Sequence, residues 1–168
     1  MAEFPVNPQR VDPYEASKFR VKWDGKYIPA ITRVSPLVRF TQVVPHREGG
    51  GSSNVHLQPG ENAFQAVTLE RGLTQDRSFE IWADAVWNIA SGLGTEVELK
   101  NMRKDIRIEL MNEAGQIVLA WNMLRCWPSE YQPLSELGSG AATDAAERLV
   151  LQNEGWERDA SVIEPVEP

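Results

Sequence analysis

Hydrophobic and polar residues alternate most clearly at Phe19, Val21 and Trp23, set against Lys18, Arg20 and Lys22. This period of two predicts a half-buried strand. Asp24-Gly25 follows as a strong hairpin signal. A return strand is expected from about Lys26 to Val34, with Pro29 marking an edge or a bulge. Leu37 to Val44, closed by Pro45, predicts a third strand, and Ala63 to Leu69 a fourth. The period then changes. Phe79, Trp82, Val86 and Ile89 fall on one helical face, so a helix is predicted over about 76–91, with Asp76 as N-cap and Gly92 just past its end. Ile81, Ala85 and Trp87 lie off that stripe, and a helix apolar on more than one side needs more than one cover. Ile106, Ile108 and Leu110 predict a further strand, followed by a turn at Asn112–Gly115. Ile117–Leu124 reads as a strand buried on both faces and ended by Trp127-Pro128. Glu147–Gly155 reads as the last strand. About seven strands and one packed helix make a mostly β fold, a sandwich or a barrel-like sheet.

The segments between these elements change the picture. Residues 1–16 contain Pro5, Pro8 and Pro13 and read as an extended arm. Residues 46–60 run His46, Arg47, Glu48, Gly49, Gly50, Gly51, Ser52, Ser53 and read as a long flexible loop, since consecutive glycines permit many backbone paths and hold none. Residues 134–145 are rich in Ser, Gly and Ala, and 160–168 read as a disordered tail. No internal repeat or linker divides the chain, so one domain is expected over 1–159.

Length sets the scale: 168 residues bury about 70% of their unfolded surface. The net charge of −7 is uneven. Residues 1–128 balance 15 basic against 15 acidic side chains, whereas 129–168 hold two against nine. That disfavours nucleic acid as a general partner. No apolar run reaches the roughly 18 residues of a membrane helix. Met1-Ala2-Glu3-Phe4-Pro5 lacks the basic and apolar regions of a secretory signal, so cytoplasmic synthesis and assembly are expected.

Candidate chemistry is sparse. The single cysteine, Cys126, excludes an internal disulfide and Cys-rich zinc sites, and His46 and His56 flank a loop ill-suited to fixing coordination geometry. The glycine run lacks the lysine of a phosphate loop, and Asn54 stands where a nucleophile elbow needs its last glycine. Carboxylate pairs such as Glu96/Glu98 and Glu154/Glu157 read as solvated surface. Six tryptophans admit an aromatic sugar platform but read first as packing. No nucleophile–base–orienter set assembles without a loop histidine. The expectation is therefore no enzyme, no metal and no cofactor. A glycine arm, a helix apolar all round and an acidic terminal segment suggest an assembly module. The competing reading is a monomeric β-sandwich binding carbohydrate or protein, and a small β-fold hydrolase is weaker.

The order of these features resembles the inner tail tube proteins of contractile phages and phage-like extracellular contractile injection systems. The resemblance spans about residues 13–158. It rests on Pro13-Tyr14, Phe19 to Trp23 with its hairpin, Arg47-Glu48-Gly49-Gly50-Gly51, and Leu149 to Gly155. Its most specific part is Val67-Thr68-Leu69-Glu70-Arg71-Gly72-Leu73-Thr74 followed by Phe79 and Trp82. It implies a structural subunit that forms homohexameric rings stacking into a hollow tube, with strands lining the lumen and the helix outside. Sheath and baseplate proteins are the implied partners, a cargo in the lumen is admitted, and sheath contraction drives the tube through a target envelope. Within that picture His46 to Ser53 are expected at the ring-to-ring contact. Arg71, Gly72, Phe79, Trp82 and Trp87 are expected in subunit packing, with Gly72 holding a backbone geometry that a side chain would disturb. Glu154 and Glu157 are expected to face the lumen or a partner.

Overall fold

The computed structural model describes residues 14–15, 18–47, 49, 55–90, 102–140 and 144–165. The strands are β1 (Phe19–Trp23), β2 (Lys26–Tyr27), β3 (Ile31–Val34), β4 (Arg39–His46), β5 (His56–Phe64) and β6 (Val67–Gly72); after the helix α1 (Ser78–Ala90) come β7 (Lys104–Met111), β8 (Ile117–Gln132), β9 (Ala146–Gln152) and β10 (Trp156–Arg158). All pairings are antiparallel. One large sheet runs β2-β1-β7-β8-β9-β6-β3, with β10 also on β8, and β4-β5 form a separate two-stranded sheet. The large sheet does not close on itself. It folds over like a sandwich because β8 changes partner, pairing β7 as far as Cys126 and β9 from Trp127. At that corner Arg125 takes a positive φ of 49°, and its N–H donates to Asp105 Oδ1 at 2.8 Å.

Several elements differ from the pattern-based expectation. The predicted 26–34 strand is two strands on different neighbours, β2 on β1 and β3 on β6. Pro29 and Ala30 form the corner between them, with Ala30 at φ 61°. Trp127-Pro128 does not end the eighth strand. Pro128 lies opposite Leu151 beside a register shift, a bulge position where a missing N–H costs little. Within the segment read as buried on both faces, burial alternates, so β8 is only half covered there. Ala63–Leu69 is also split: Ala63 and Phe64 end β5, whereas Val67 begins β6. Strand β10 was not anticipated; it follows Gly155, which stands at φ 143°. The Asp24-Gly25 hairpin holds, with both residues at positive φ as a type I′ turn requires. So does the turn closed by Gly115 at φ 78°.

The core lies between the two halves of the folded sheet, with α1 packed onto it. Val21, Val67, Leu69, Ile106, Met123, Leu149 and Leu151 are fully buried, alternating with outward residues along their strands. Phe79 and Trp82 of the helix join Trp23 in an aromatic cluster with centroid distances of 5.9 and 5.1 Å. The Trp82 indole N–H donates to the Met102 carbonyl at 2.7 Å, which satisfies the one polar atom this ring carries inward. Cys126 is buried, and burial pushes its thiol up to about 12, so it is inert.

Candidate assembly surfaces

Among the described residues the β4–β5 hairpin is the most exposed pair of strands. It meets the body only at its base, through its two legs and its first residue pair. The legs are held by Gln65 N–H to the Val38 carbonyl at 2.9 Å, and by Ser35 N–H to the Thr68 carbonyl at 2.9 Å. Residues 56–60, expected to be loop, are strand. Pro59 and Gly60 signal a turn, yet they form part of a long ladder that tolerates Pro at an edge. Of the expected ring-contact residues, His46 ends β4, and Arg47 and Gly49 are exposed beyond it. Glu48, Gly50, Gly51, Ser52 and Ser53 lie outside the described residues, as do Gly92 and the Glu96/Glu98 pair.

Register decides what the hairpin displays. Gly60 and Glu61 together oppose Gln42, a bulge that shifts the alternation of β5. Val43 then sits opposite Pro59, and Pro45 opposite Leu57, all on one face. Gln42, Gln58, His46 and His56 share the other face with Val44. The outer half of the hairpin is thus amphipathic, with Val43 61% and Leu57 69% exposed. Gly60 is needed at the bulge, because a Cβ there would lie 2.8 Å from Val44 Cγ2. Gly60→Ala is expected to accelerate hydrogen exchange of the hairpin amides by roughly tenfold while global unfolding stays unchanged. His46 and His56 form a cross-strand pair, but among the described residues no group of three metal-binding side chains exists.

The expected subunit-packing residues separate into two groups. Phe79, Trp82 and Arg71 are buried inside the subunit, not displayed to a neighbour. Phe79 and Trp82 fill the core beneath the helix. Arg71 is fully buried because the chain supplies it with a complete set of acceptors. Its Nε donates to Glu147 at 2.6 Å, and its terminal nitrogens donate to Asp76 Oδ1 at 2.8 Å and the Asp76 carbonyl at 2.7 Å. Its guanidinium also covers the Phe79 ring at 4.1 Å. The Tyr131 hydroxyl donates to the second Glu147 oxygen at 2.6 Å, and burial together with Glu147 raises the tyrosine pKa. Asp76 in turn starts the helix: its Oδ1 accepts the Ser78 N–H at 3.0 Å. Gly72 does not hold a special geometry. It has no positive φ, and a Cβ would meet nothing within 4 Å among the described residues. Trp87 alone among these candidates is displayed, at 74% exposed; Ile81, 61% exposed, lies about 120° around the same helix. Trp87 is also the one largely exposed tryptophan among the described residues.

Of the nine acids in the terminal segment, Glu147, Glu154 and Asp159 pair with bases from earlier in the chain. Glu154 accepts from Arg125 at 2.9 Å and lies 3.5 Å from Arg103. Asp159 accepts from Arg107 at 2.7 Å and from Ser161. Residues 160–161 form a turn on this contact, and Tyr14 donates to Glu164, so the described part of the expected tail is tied down. Glu157 is exposed on β10. Glu109, behind this cluster, feels burial that raises its pKa, but hydrogen bonds from Arg20, Arg107 and Tyr27 outweigh it and lower the pKa.

Two depressed carboxylates set an acid limit. Hydrogen bonds from Ser78 and Arg71 hold Asp76 at about 2, and hydrogen bonds from Ser161 and Arg107 hold Asp159 at about 2. Both folded values lie below the unfolded one, so the unfolded chain binds more protons as pH falls. The stability they contribute is complete above about pH 4 and lost by about pH 2. Thermal unfolding of Asp76→Asn and Asp159→Asn is expected to show a smaller fall between pH 4 and pH 2 than the unaltered protein.

Comparison with known proteins places this arrangement. No curated protein matches the chain. Among solved structures, a chain of the anti-feeding prophage baseplate superposes with a TM-score of 0.71 at 20% identity, covering 89% of this chain and 97% of that one. A chain of the extended sheath-tube complex of the PVC extracellular contractile injection system gives 0.69 at 21%, covering 88% and 92%. Hcp1 from Flavobacterium johnsoniae gives 0.50 at 10%, covering 88% and 99%. These likenesses establish a shared tube-type β fold. The profile described as T4-like virus tail tube protein gp19 matches residues 15–157, which include every strand but the last residue of β10 together with the helix. The chain therefore belongs to the T4-like virus tail tube protein gp19 family and is a structural subunit of a tail tube.

Proposed function

We propose that this subunit assembles into homohexameric rings that stack into the hollow tube of a phage tail or an extracellular contractile injection particle. The observation that carries this reading is the β4–β5 hairpin. An isolated two-stranded hairpin is marginal in water, and this one stands off the body with an apolar outer face uncovered. A second copy of the chain is its occupant, received in the next ring, with residues 46–55 at the contact. Head-to-tail contact of this kind propagates without limit until capped. Within a ring, the open edges at β2 and β3 are the pairing surfaces that closure removes, and the exposed Trp87 of α1 receives a neighbour's cover. Sheath and baseplate proteins bind the finished tube, assembly takes place in the cytoplasm, and cargo occupies the lumen. Glu157 faces the lumen or a partner; Glu154 already has arginine partners within the subunit.

Negative-stain electron microscopy with light scattering on the purified protein tests the reading. Rings and stacked tubes are expected, and a variant lacking Gly49 to Ser53 is expected to stop at single rings. Long tubes from that variant refute the contact assigned to residues 46–55. A uniform monomer that stays monomeric with a cognate baseplate present refutes the tube reading itself.

A further inference from the structure

The hairpin's apolar face is useful to a neighbour only if it points in a defined direction, yet β4 and β5 pair with nothing but each other. Between the Ser35–Thr68 and Val38–Gln65 hydrogen bonds lie Pro36, Leu37, Ala66 and Val67, a short neck; Leu37 and Val67 pack into the core and fix the legs, but not the direction of the two-stranded arm beyond them.

One side of that neck rests on the body. The first pair of the hairpin is Arg39 opposite Phe64. Phe64 meets the ring of Trp156 edge-on, with centroids 6.2 Å apart and planes at 76°. The Arg39 guanidinium lies 5.6 Å from the same ring. Asn153 Nδ2 donates to the Gln65 carbonyl at 3.1 Å. These contacts all come from the jog between β9 and β10, and β8 holds the jog from behind. Glu154 N–H donates to the Leu124 carbonyl at 3.0 Å, and Leu124 N–H donates to the Gly155 carbonyl at 2.9 Å. Gly155 is buried at φ 143°, and a Cβ there would come 3.4 Å from Phe64 Cζ. The jog therefore takes a backbone shape that only glycine adopts readily, directly beneath the foot of the arm. The Trp156 indole N–H is buried and meets no acceptor among the described residues. The ring is thus held by its faces and edges, against the core on one side and the arm on the other.

We propose that the Asn153–Trp156 jog is a seat that sets the angle of the β4–β5 arm, with Trp156 as the positioning residue for ring-to-ring docking. The docking role rests on the tube function proposed above; the seat does not. Arg39 and Phe64 share a face with Val43, Pro45, Leu57 and Pro59. The seat thus covers the inner half of that face and aims the uncovered outer half past the edge of the body. An arm freed from the seat samples many angles, and docking then requires selection of the competent one, which raises the apparent dissociation constant by the inverse of its population.

The test reads the arm directly and then its consequence. Spin labels at Gln58→Cys and Glu113→Cys report the arm-to-body distance, the buried Cys126 staying unlabelled. The unaltered background is expected to give a narrow distance distribution and Arg39→Ala/Phe64→Ala a broad one. Trp156→Phe, which keeps an aromatic edge and face, is expected to stay narrow. In stacking assays the double variant is expected to form rings normally but to need roughly tenfold more protein before tubes elongate, while Trp156→Phe elongates as the unaltered protein does. Gly155→Ala is expected to behave like the double variant. A distribution in Arg39→Ala/Phe64→Ala as narrow as the unaltered one overturns the seat. A broadened arm with an unchanged elongation threshold overturns the positioning role. Unaltered protein that never stacks, with a distribution that broadens as described, sinks the tube function and leaves the seat standing.

Discussion

Arg71→Met is expected to lower unfolding stability by about 3–5 kcal/mol and the melting temperature by roughly 10 °C, measured by denaturant and thermal unfolding. The loss does not come chiefly from the arginine's own contacts. Arg71 is fully buried, and its partner Glu147 is only 6% exposed. Removing the cation leaves a carboxylate in the core with Tyr131 as its remaining side-chain donor. A buried charge without its counter-ion carries its desolvation cost uncompensated. The helix loses its anchor as well, since Arg71 grips both the side chain and the carbonyl of Asp76 at the start of α1. Replacing Arg71, Glu147 and Tyr131 together by Met, Leu and Phe is expected to recover most of the loss, because no buried charge then remains; Asp76 is partly exposed and keeps its Ser78 hydrogen bonds. If Arg71→Met alone melts within about 1 °C of the unaltered protein, the network is not what joins β6, β9 and the helix.

Val43→Asp/Leu57→Asp is expected to leave the folded subunit nearly unchanged and to abolish tube growth. Both side chains are more than half exposed, so the change in subunit stability should stay under about 1 kcal/mol. At a ring-to-ring contact, each forfeits about 1.5–3 kcal/mol of apolar burial and places a carboxylate where water is excluded. The threshold for elongation should rise by well over tenfold per contact. Gln58→Asp, on the opposite face, is the matched control and is expected to elongate. Equal loss in both variants, read by electron microscopy and light scattering, would show that charge on the arm matters and its apolar face does not.

Much of the architecture was legible in local pattern. The alternation at Phe19–Trp23, the Asp24-Gly25 turn and the helical stripe of Phe79, Trp82, Val86 and Ile89 each depend on neighbours a few residues away, and each stands as expected. The acidic segment and the glycine run were legible as unusual. What they touch was not. Glu147 and Arg71 are 76 residues apart in sequence. Nothing in the spacing of either reveals that they share a buried network, or that Arg71 serves the core and not a neighbouring subunit. Pro59-Gly60 has the local signature of a turn and became a bulged strand because β4 supplied a partner along its whole length. Pro128 likewise stayed inside a strand because a bulge released the N–H it lacks.

The sequence by itself determined the period of the clearest elements and the turns at Asp24-Gly25 and Gly115, which follow from steric preference and side-chain periodicity over short spans; the family was legible separately, through the resemblance of particular motifs. Only the tertiary structure decided which apolar residues fill the core and which stay exposed. Trp82 and Trp87 stand five residues apart on one helix; one is fully buried against Trp23, the other exposed. On the hairpin, a single extra residue at Gly60–Glu61 sets which side chains share a face. Exposure depends on what lies across a sheet or over a helix, and that partner comes from a distant part of the chain.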